Sequence, residues 1–333
     1  LQGLCDRSVT TDRNGKIEFL GTDALDCLAL DDEMAVRWLS AEQSNSSLIV
    51  GDLAMIKLIR HVFVGIHPEA EMTRYLTNAG YEHTAPLLGE VVRTDTSGRR
   101  STLIIVQGAI PNQGDAWNWM LANLRRVADE IALTEAPIEE AAEQLRPLLN
   151  FVAMIGTRLG EMHVVLAAPT EDEAFRPSRA QADDVEVLRR AVTGEVNYAF
   201  SKLEELGDDV DADILALARP LFARREEIVR FAERLTAKAD GSLLTRAHGD
   251  FHLGQILVSE GDAVLIDFEG EPARNLAERR AKTSPMRDVA GLLRSLNYLA
   301  ATAELDADAV TEHNGGRRLA VIREFSKRAE TVF

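Results

Sequence analysis

Between Arg246 and Ser295 the chain reads RAHGDFHLGQILVSEGDAVLIDFEGEPARNLAERRAKTSPMRDVAGLLRS. Two short apolar runs, QILV and AVLI, flank a turn signal at Glu260-Gly261-Asp262, and together they predict a hairpin. Ahead of the hairpin sit His248-Gly249-Asp250 and Gln255; directly after it comes Asp267 in Asp267-Phe268-Glu269-Gly270. The hairpin links these polar residues and makes them candidates for one site. Singly, each has a plain reading. An Asp after Gly usually belongs to a turn, and an Asp after AVLI closes a strand.

The segments before this stretch give it a context. MAVRWL, SLIVG and LAMIKLI read as three strands, the last two joined at Gly51-Asp52, a two-residue hairpin signal. HPEAEMTRYLTNAG reads as a helix, with Pro68 in its first turn, acidic residues behind it and Gly80 as its C-terminal cap. APLLGEVVRTD and STLIIVQG then form two strands around TSGRR. From Asp115 the pattern turns helical, over GDAWNWMLANLRRVADEIAL, then LRPLLNFVAMIGTRLGEMHVVLAA to Pro169, then about 185–206 and 211–238. Residues 170–184 are acidic and read as a surface connection, and residues 14–31 as a short strand with turns. Three strands, a helix, two strands and a helical remainder are the element order of a protein kinase-like fold. The expectation is an α+β chain with two lobes. Residues 34–107 would be an antiparallel-sheet N-lobe with one helix, 108–114 a hinge and 115–333 a mainly helical C-lobe.

That order gives the hairpin residues a chemistry. Phosphoryl transfer needs an acceptor for the attacking hydroxyl's proton, metal ligands, and a cation on the phosphates that are not transferred. Kinases place the base in a loop with the metal-binding side chain five residues after the Asp. Gln255 stands at that offset from Asp250, and Asp267-Phe268-Glu269-Gly270 resembles the metal-binding D-F-G with one residue inserted. Oxygen ligands from Gln255 and Asp267 suit Mg²⁺. On the third strand Lys57, in AMIKLI, is the candidate phosphate-binding lysine, and Glu71 its candidate partner on the next helix. Glu69 is passed over because the helix dipole favours an acidic residue in a first turn whatever its function. The phosphate loop would be EQSNSS, with Ser44, Asn45 and Ser46 contributing side chains and backbone N–H groups in place of a glycine motif. The backbone from Gln107 to Ala109 would face the adenine of ATP.

Composition narrows the partners. Asp and Glu number 54 against 37 Lys and Arg, a net charge of −17, which argues against nucleic acid or an anionic membrane as a general partner. Cys5 and Cys27 have no ligand-like spacing, so neither a disulfide framework nor a zinc site is expected, and a reducing cytoplasm fits. The longest apolar run, GLLRSLNYLAATA, is interrupted by Arg294 and Asn297 and falls short of a membrane span. The chain does not begin with Met, and a piece of a longer polypeptide is expected.

AEQSNSS, IKLIRHVFVGIHPEAEMTRYLTNAGY, IPNQGDAW, HGDFHLGQIL and DFEGEPARNLAERRAKTSPMRDVAGLLRS together resemble the bacterial maltokinases, above all the maltokinase domain fused to trehalose synthase. His-Gly-Asp alone indicates only the wider aminoglycoside phosphotransferase-like group; the longer strings are more specific. The resemblance runs from about residue 14 to 300 and is weak over 125–150 and 170–240. It implies ATP- and Mg²⁺-dependent phosphorylation of maltose at its anomeric hydroxyl, with a trehalose synthase as possible partner, and part of the family's N-terminal cap in residues 1–33. Asp250 would be the base, Asp267 and Gln255 the metal ligands, and Lys57 the phosphate lysine held by Glu71. The sugar pocket would lie beside Asp250, with His252, Glu269, Glu271, Arg274, Arg279, Arg280 and Lys282 as candidates, although LAERRAK also reads as a solvated helix face. Glu161 and His163 belong to a C-lobe helix, where His163 reads as a hydrogen-bonded core residue. Two other readings stand beside maltokinase: a related sugar kinase acting on an amino sugar such as glucosamine, and an inactive kinase-like module that regulates trehalose synthase.

Overall fold

The computed structural model describes residues 1–26, 34–39, 45–133, 138–205, 212–308 and 315–333. Ser44, Glu42, Gln43 and Cys27, all named above, lie outside them; Cys5 is a free thiol. The chain forms two compact units. One comprises Leu1–Ala168, Arg246–Ala281 and Pro285–Phe333; the other comprises Pro169–Thr245 with Lys282–Ser284. No helix among the described residues is long and apolar enough to cross a membrane.

The first unit is built on a seven-stranded antiparallel sheet. Its strands are β1 (Val9–Asp12), β2 (Gly15–Gly21), β3 (Val36–Trp38), β4 (Ser46–Val50), β5 (Ala54–Leu58), β6 (Leu87–Asp95) and β7 (Arg100–Gly108), in the order β1-β2-β6-β7-β5-β4-β3. The five strands expected in this region are present, and the Pro68–Asn78 helix falls between β5 and β6. The β4–β5 connection differs from expectation. Val50 pairs with Ala54, so three residues rather than two form the loop, and Gly51 at φ +55 supplies the left-handed backbone it needs. β2 comes from the segment read as a short strand with turns, whereas β1, at Val9–Asp12, precedes that segment and was not foreseen. β2 pairs with β6 from Gly15↔Asp95 to Gly21↔Gly89 and carries the sheet outward on that side.

Alternation along the strands explains why the sheet is buried on both faces. Ala54, Leu88, Val91 and Val106 point to one face, where Leu4 and Leu25 of the N-terminal segment cover them. Ile59, Leu87 and Ile105 point to the other, against Ala70 of the Pro68–Asn78 helix. Lys57 lies two residues before Ile59 and opposite Ile105, so the same parity turns it toward that helix.

Beyond β7 the chain enters the helices Ala116–Leu133 and Ile138–Leu166; Met286–Asp308 and Gly315–Val332 complete the helical part. The second unit holds Ala182–Glu204, Ala212–Ala223 and Arg225–Thr236, plus Ser178–Arg179 paired with Leu243–Leu244. The single helix expected over 211–238 is therefore two. Pro220 sits near the end of the first, and Arg224, at φ −108 and ψ 9, leaves helical geometry between them. The fold is α+β, a large antiparallel sheet with a helical part, as the element order predicts.

Candidate active site

The hairpin at the centre of the sequence argument forms as Ile256–Ser259 against Asp262–Leu265, in register Ile256↔Leu265 to Ser259↔Asp262. That leaves a two-residue turn, Glu260-Gly261, with φ +52 and +84. Positive φ at both central residues is the tight hairpin turn whose twist matches its strands. The register sets the site. Gln255 falls opposite Ile266, whose N–H donates to the Gln255 carbonyl at 3.0 Å, and Asp267 follows at once. The Gln255 side chain lies close enough to the Asp267 carboxylate to help lower its pKa. The hairpin is held on two sides. Gln113 N–H donates to Val258 O at 2.8 Å and Val258 N–H to Gly114 O at 3.0 Å, while Leu265 N–H donates to His83 O at 2.8 Å.

Asp267 has φ +67, a left-handed backbone uncommon for a residue with a side chain. Outliers of this kind cluster where function fixes a side chain's direction. Here Asp267 meets Lys57, whose Nζ donates to Asp267 Oδ1 at 3.2 Å. The same Nζ donates to both oxygens of Glu69, at 2.9 and 3.0 Å. The partner of Lys57 is thus Glu69, not Glu71 as the sequence reading has it. Glu69, Met72, Thr73 and Leu76 form an i, i+3, i+4, i+7 stripe that the sheet buries, and Glu71 lies off it. That stripe was the available signal. Burial pushes Glu69 upward, with Lys57 acting against it. Burial pushes Lys57 downward, but Glu69, Asp267 and Glu269 outweigh it and hold the amine well above its ordinary range. Both Glu69 oxygens accept from the Lys57 ammonium, a charge-assisted contact that opposes the upward push of burial on the carboxyl. At Asp267, too, burial acts upward, and Lys57, His248 and Gln255 bring the carboxyl below its usual value.

Glu269, a sugar-pocket candidate from sequence, is not among the residues lining the cavity beside Asp250 and lies instead near Asp267 and Lys57. It accepts from Asn45 Nδ2 at 2.7 Å, and burial with Asp267 nearby raises its pKa. Oxygens of Glu69, Asp267 and Glu269 lie within 4.8 Å of one another. This all-oxygen set, with Gln255 on Asp267, fits a hard divalent cation such as Mg²⁺. Asn45 Oδ1 also accepts from Arg60 N–H at 3.4 Å, which ties the phosphate-loop candidate to the end of β5. Ser46 pairs with Leu58 on β4. Gln107 is buried, with Nε2 donating to Thr73 Oγ1 at 3.3 Å. The N–H groups of Gly108 and Ala109 donate to Pro86 O and Leu53 O, both at 2.9 Å, so these two amides are engaged within the protein rather than turned to a base.

The loop that carries Asp250 is anchored by a residue the sequence reading assigned no role. Asp288 is 1% exposed and accepts from His248 N–H and Gly249 N–H, both at 2.9 Å, with His163 Nε2 also at 2.9 Å. Burial would raise Asp288, but His163, His248 and the Gly249 amide take its pKa below the ordinary value. His163 is the hydrogen-bonded core residue expected. Gly249, at φ +85, gives the loop the turn that presents Asp250. His248 Nε2 donates to Ile266 O at 2.9 Å and its ring packs between Phe251 and Phe268, so the loop is joined to the backbone just before Asp267.

Asp250 opens into a cavity of about 510 Å³ that it lines with Trp117, His252, Glu271, Arg287, Arg294 and Tyr298. Of the sugar candidates, His252 and Glu271 reach this cavity. His252 Nδ1 also accepts from Gly254 N–H at 3.1 Å, and burial lowers its pKa. Glu271 accepts from Arg274 at 2.7 Å and Arg287 at 2.5 Å; these arginines outweigh burial and keep it below the usual carboxylate range. Arg279 shapes the loop instead, donating to Arg274 O at 3.0 Å and Pro272 O at 2.9 Å. Arg280 pairs with Glu71. Lys282 belongs to the second unit, where it donates to Glu173 O at 2.9 Å. Trp117, Arg287, Arg294 and Tyr298 were missed because their faces depend on the rotation of two helices distant in sequence.

His67, also unforeseen, is 4% exposed and stacks on Phe63 at 5.3 Å. Burial first, then Lys57 and Arg279, lower its pKa from 6.5 to about 4. Between those values the unfolded chain takes up a proton that the native chain does not, so falling pH favours unfolding. Stability should drop by about 3 kcal/mol from this group as the pH falls from neutral toward 4. Urea midpoints of wild type and His67→Gln, compared across that range, should converge as pH falls; a constant difference would refute the assignment.

The phosphotransferase enzyme family matches residues 36–321 of the chain. The chain belongs to that family. It is a kinase-like enzyme that uses ATP and transfers phosphate to a hydroxyl acceptor. A glucosamine kinase of Mycolicibacterium smegmatis is 30% identical over 302 residues, covering 89% of this chain and 68% of that protein. A glucosamine kinase of Streptacidiphilus jiangxiensis is 29% identical over 268 residues, covering 79% of this chain and 54% of that protein. The chain thus spans between about half and two thirds of these relatives. A solved glucosamine kinase in complex with glucosamine, ADP and inorganic phosphate superposes with a TM-score of 0.63 at 21% identity, over 96% of this chain and 76% of that one. It shows the two-lobed kinase-like fold. These relatives bear the name of the second sugar-kinase reading; neither maltokinase nor a trehalose synthase partner finds support among them.

Proposed function

We propose that this kinase phosphorylates a hydroxyl of a small amino sugar of the glucosamine type. The carrying observation is the cavity beside Asp250, with two carboxylates, Asp250 and Glu271, and two aromatic side chains, Trp117 and Tyr298. Aromatic faces and carboxylates both favour an ammonium-bearing ligand. The cations of the same wall already have partners. Arg287 donates to Gly249 O and Glu271, and Arg294 donates to Tyr298 Oη at 3.2 and 2.8 Å. The names of the relatives point the same way.

In this reading Asp250 accepts the proton of the attacking hydroxyl as its oxygen bonds the γ-phosphorus and the bond to ADP breaks. Lys57, held by Glu69, neutralises phosphate oxygens. Asp267, Gln255 and Glu269 would hold Mg²⁺, which supplies positive charge to the phosphates when bound. Steady-state ADP release should give kcat/KM for glucosamine about tenfold or more above glucose and maltose. Equal or greater efficiency with maltose would overturn the amino-sugar reading. Turnover of none of the three, with Mg-ATP leaving the unfolding temperature unchanged, would favour an inert module instead.

A further inference from the structure

The sequence pattern assigns Glu71 to Lys57; the structure gives it different partners. Its carboxylate accepts from Arg246 Nη1 at 2.7 Å and from Arg280 Nε and Nη2 at 2.8 and 2.6 Å. The three residues come from three segments. Glu71 lies on the helix that also carries Glu69, Arg246 lies four residues before Asp250, and Arg280 ends the Leu276–Arg280 helix behind Glu271. The Arg246 side chain is 2% exposed and that of Glu71 11%, so the contact is enclosed rather than a surface pair. Enclosed charges hold their geometry because separating them leaves an uncompensated charge away from water.

The placement gives one helix two separate attachments. Glu69, on the stripe facing the sheet, holds Lys57. Glu71, about 200° further round the helix axis, holds the other two segments. The helix therefore cannot shift to release Lys57 without pulling on Arg246, and Arg246 leads into the loop whose amides Asp288 fixes. We propose that Glu71 is a positioning residue which, through Arg246 and Arg280, ties the Lys57–Glu69 pair to the loop that presents Asp250. It touches neither ATP nor acceptor; it sets the nucleotide half and the acceptor half of the site in register, and this rests on the kinase reading above.

Glu71→Gln keeps the side chain's size and one acceptor oxygen and removes its charge. With Mg-ATP and glucosamine saturating, kcat should fall about tenfold or more while KM for Mg-ATP changes about twofold or less; Glu71→Asp should recover part of the loss. A lower unfolding midpoint with kcat unchanged in the folded protein would mean packing alone and would overturn the proposal. A second measurement needs no acceptor. With Mg²⁺ and a non-hydrolysable ATP analogue bound, the amides of His248 and Gly249 should exchange hydrogen about tenfold faster in Glu71→Gln than in wild type. Equal exchange would overturn the proposal. Wild-type inactivity toward glucosamine would count against the acceptor reading instead, and the exchange measurement would then decide Glu71.

Discussion

Asp250→Asn should lower kcat by about 10²–10⁴-fold, the usual contribution of a positioned general base. The amide keeps the shape of the carboxylate but cannot take the proton of the attacking hydroxyl. Asp250 lies partly exposed on the cavity wall, so the substitution disturbs little packing and the unfolding midpoint should stay near that of wild type. Lys57, Glu69 and Asp267 are untouched, so Mg-ATP should still bind and stabilise the variant. ADP release with the acceptor, measured beside Mg-ATP-dependent thermal stabilisation, separates chemistry from binding. A variant within about threefold of wild-type kcat would remove Asp250 from the role of base.

The second large effect is on the fold as well as on activity. Asp288→Ala removes the acceptor for two backbone N–H groups and for His163, all inside the protein. Each donor left buried without a partner costs about 1–3 kcal/mol, so a loss of about 3–9 kcal/mol is expected. The loop from His248 to Asp250 loses its anchor at the same time, and the activity of whatever protein remains folded should fall with it. Asp288→Asn keeps one acceptor oxygen and should fall between wild type and alanine. Urea unfolding of the three proteins measures this series. A loss below about 1 kcal/mol in Asp288→Ala would show that other groups hold the loop.

Asp288 shows where sequence reasoning stops. It stands in SPMRDVAGLLRS, in the first turn of a helix, where the dipole accounts for an acidic residue without any further partner. Its actual donors lie on a loop about forty residues earlier and on another helix. Glu69 and Glu71 make the same point from the other direction. Both were visible, two residues apart, and the choice between them turned on which face of the helix meets the sheet. The buried stripe Glu69, Met72, Thr73, Leu76 contained the answer, but Glu69 reads as an ordinary first-turn acid until the sheet is in place. Glu269 and Arg280 were placed in the sugar pocket because they follow Asp267 closely; one turns to Asn45 and the other to Glu71.

What the residues determined by themselves was local. Strand parity aimed Lys57 at the following helix, and a tight turn with four paired residues a side brought Gln255 and Asp267 together. Backbone hydrogen bonding between near neighbours enforces both, so spacing alone carries the information. The partner of each charge and the walls of the cavity were decided only by the packed structure. Carboxylates and arginines are paired by proximity after helices and loops have docked, and docking follows the burial of apolar faces, which does not depend on which charge stands beside them.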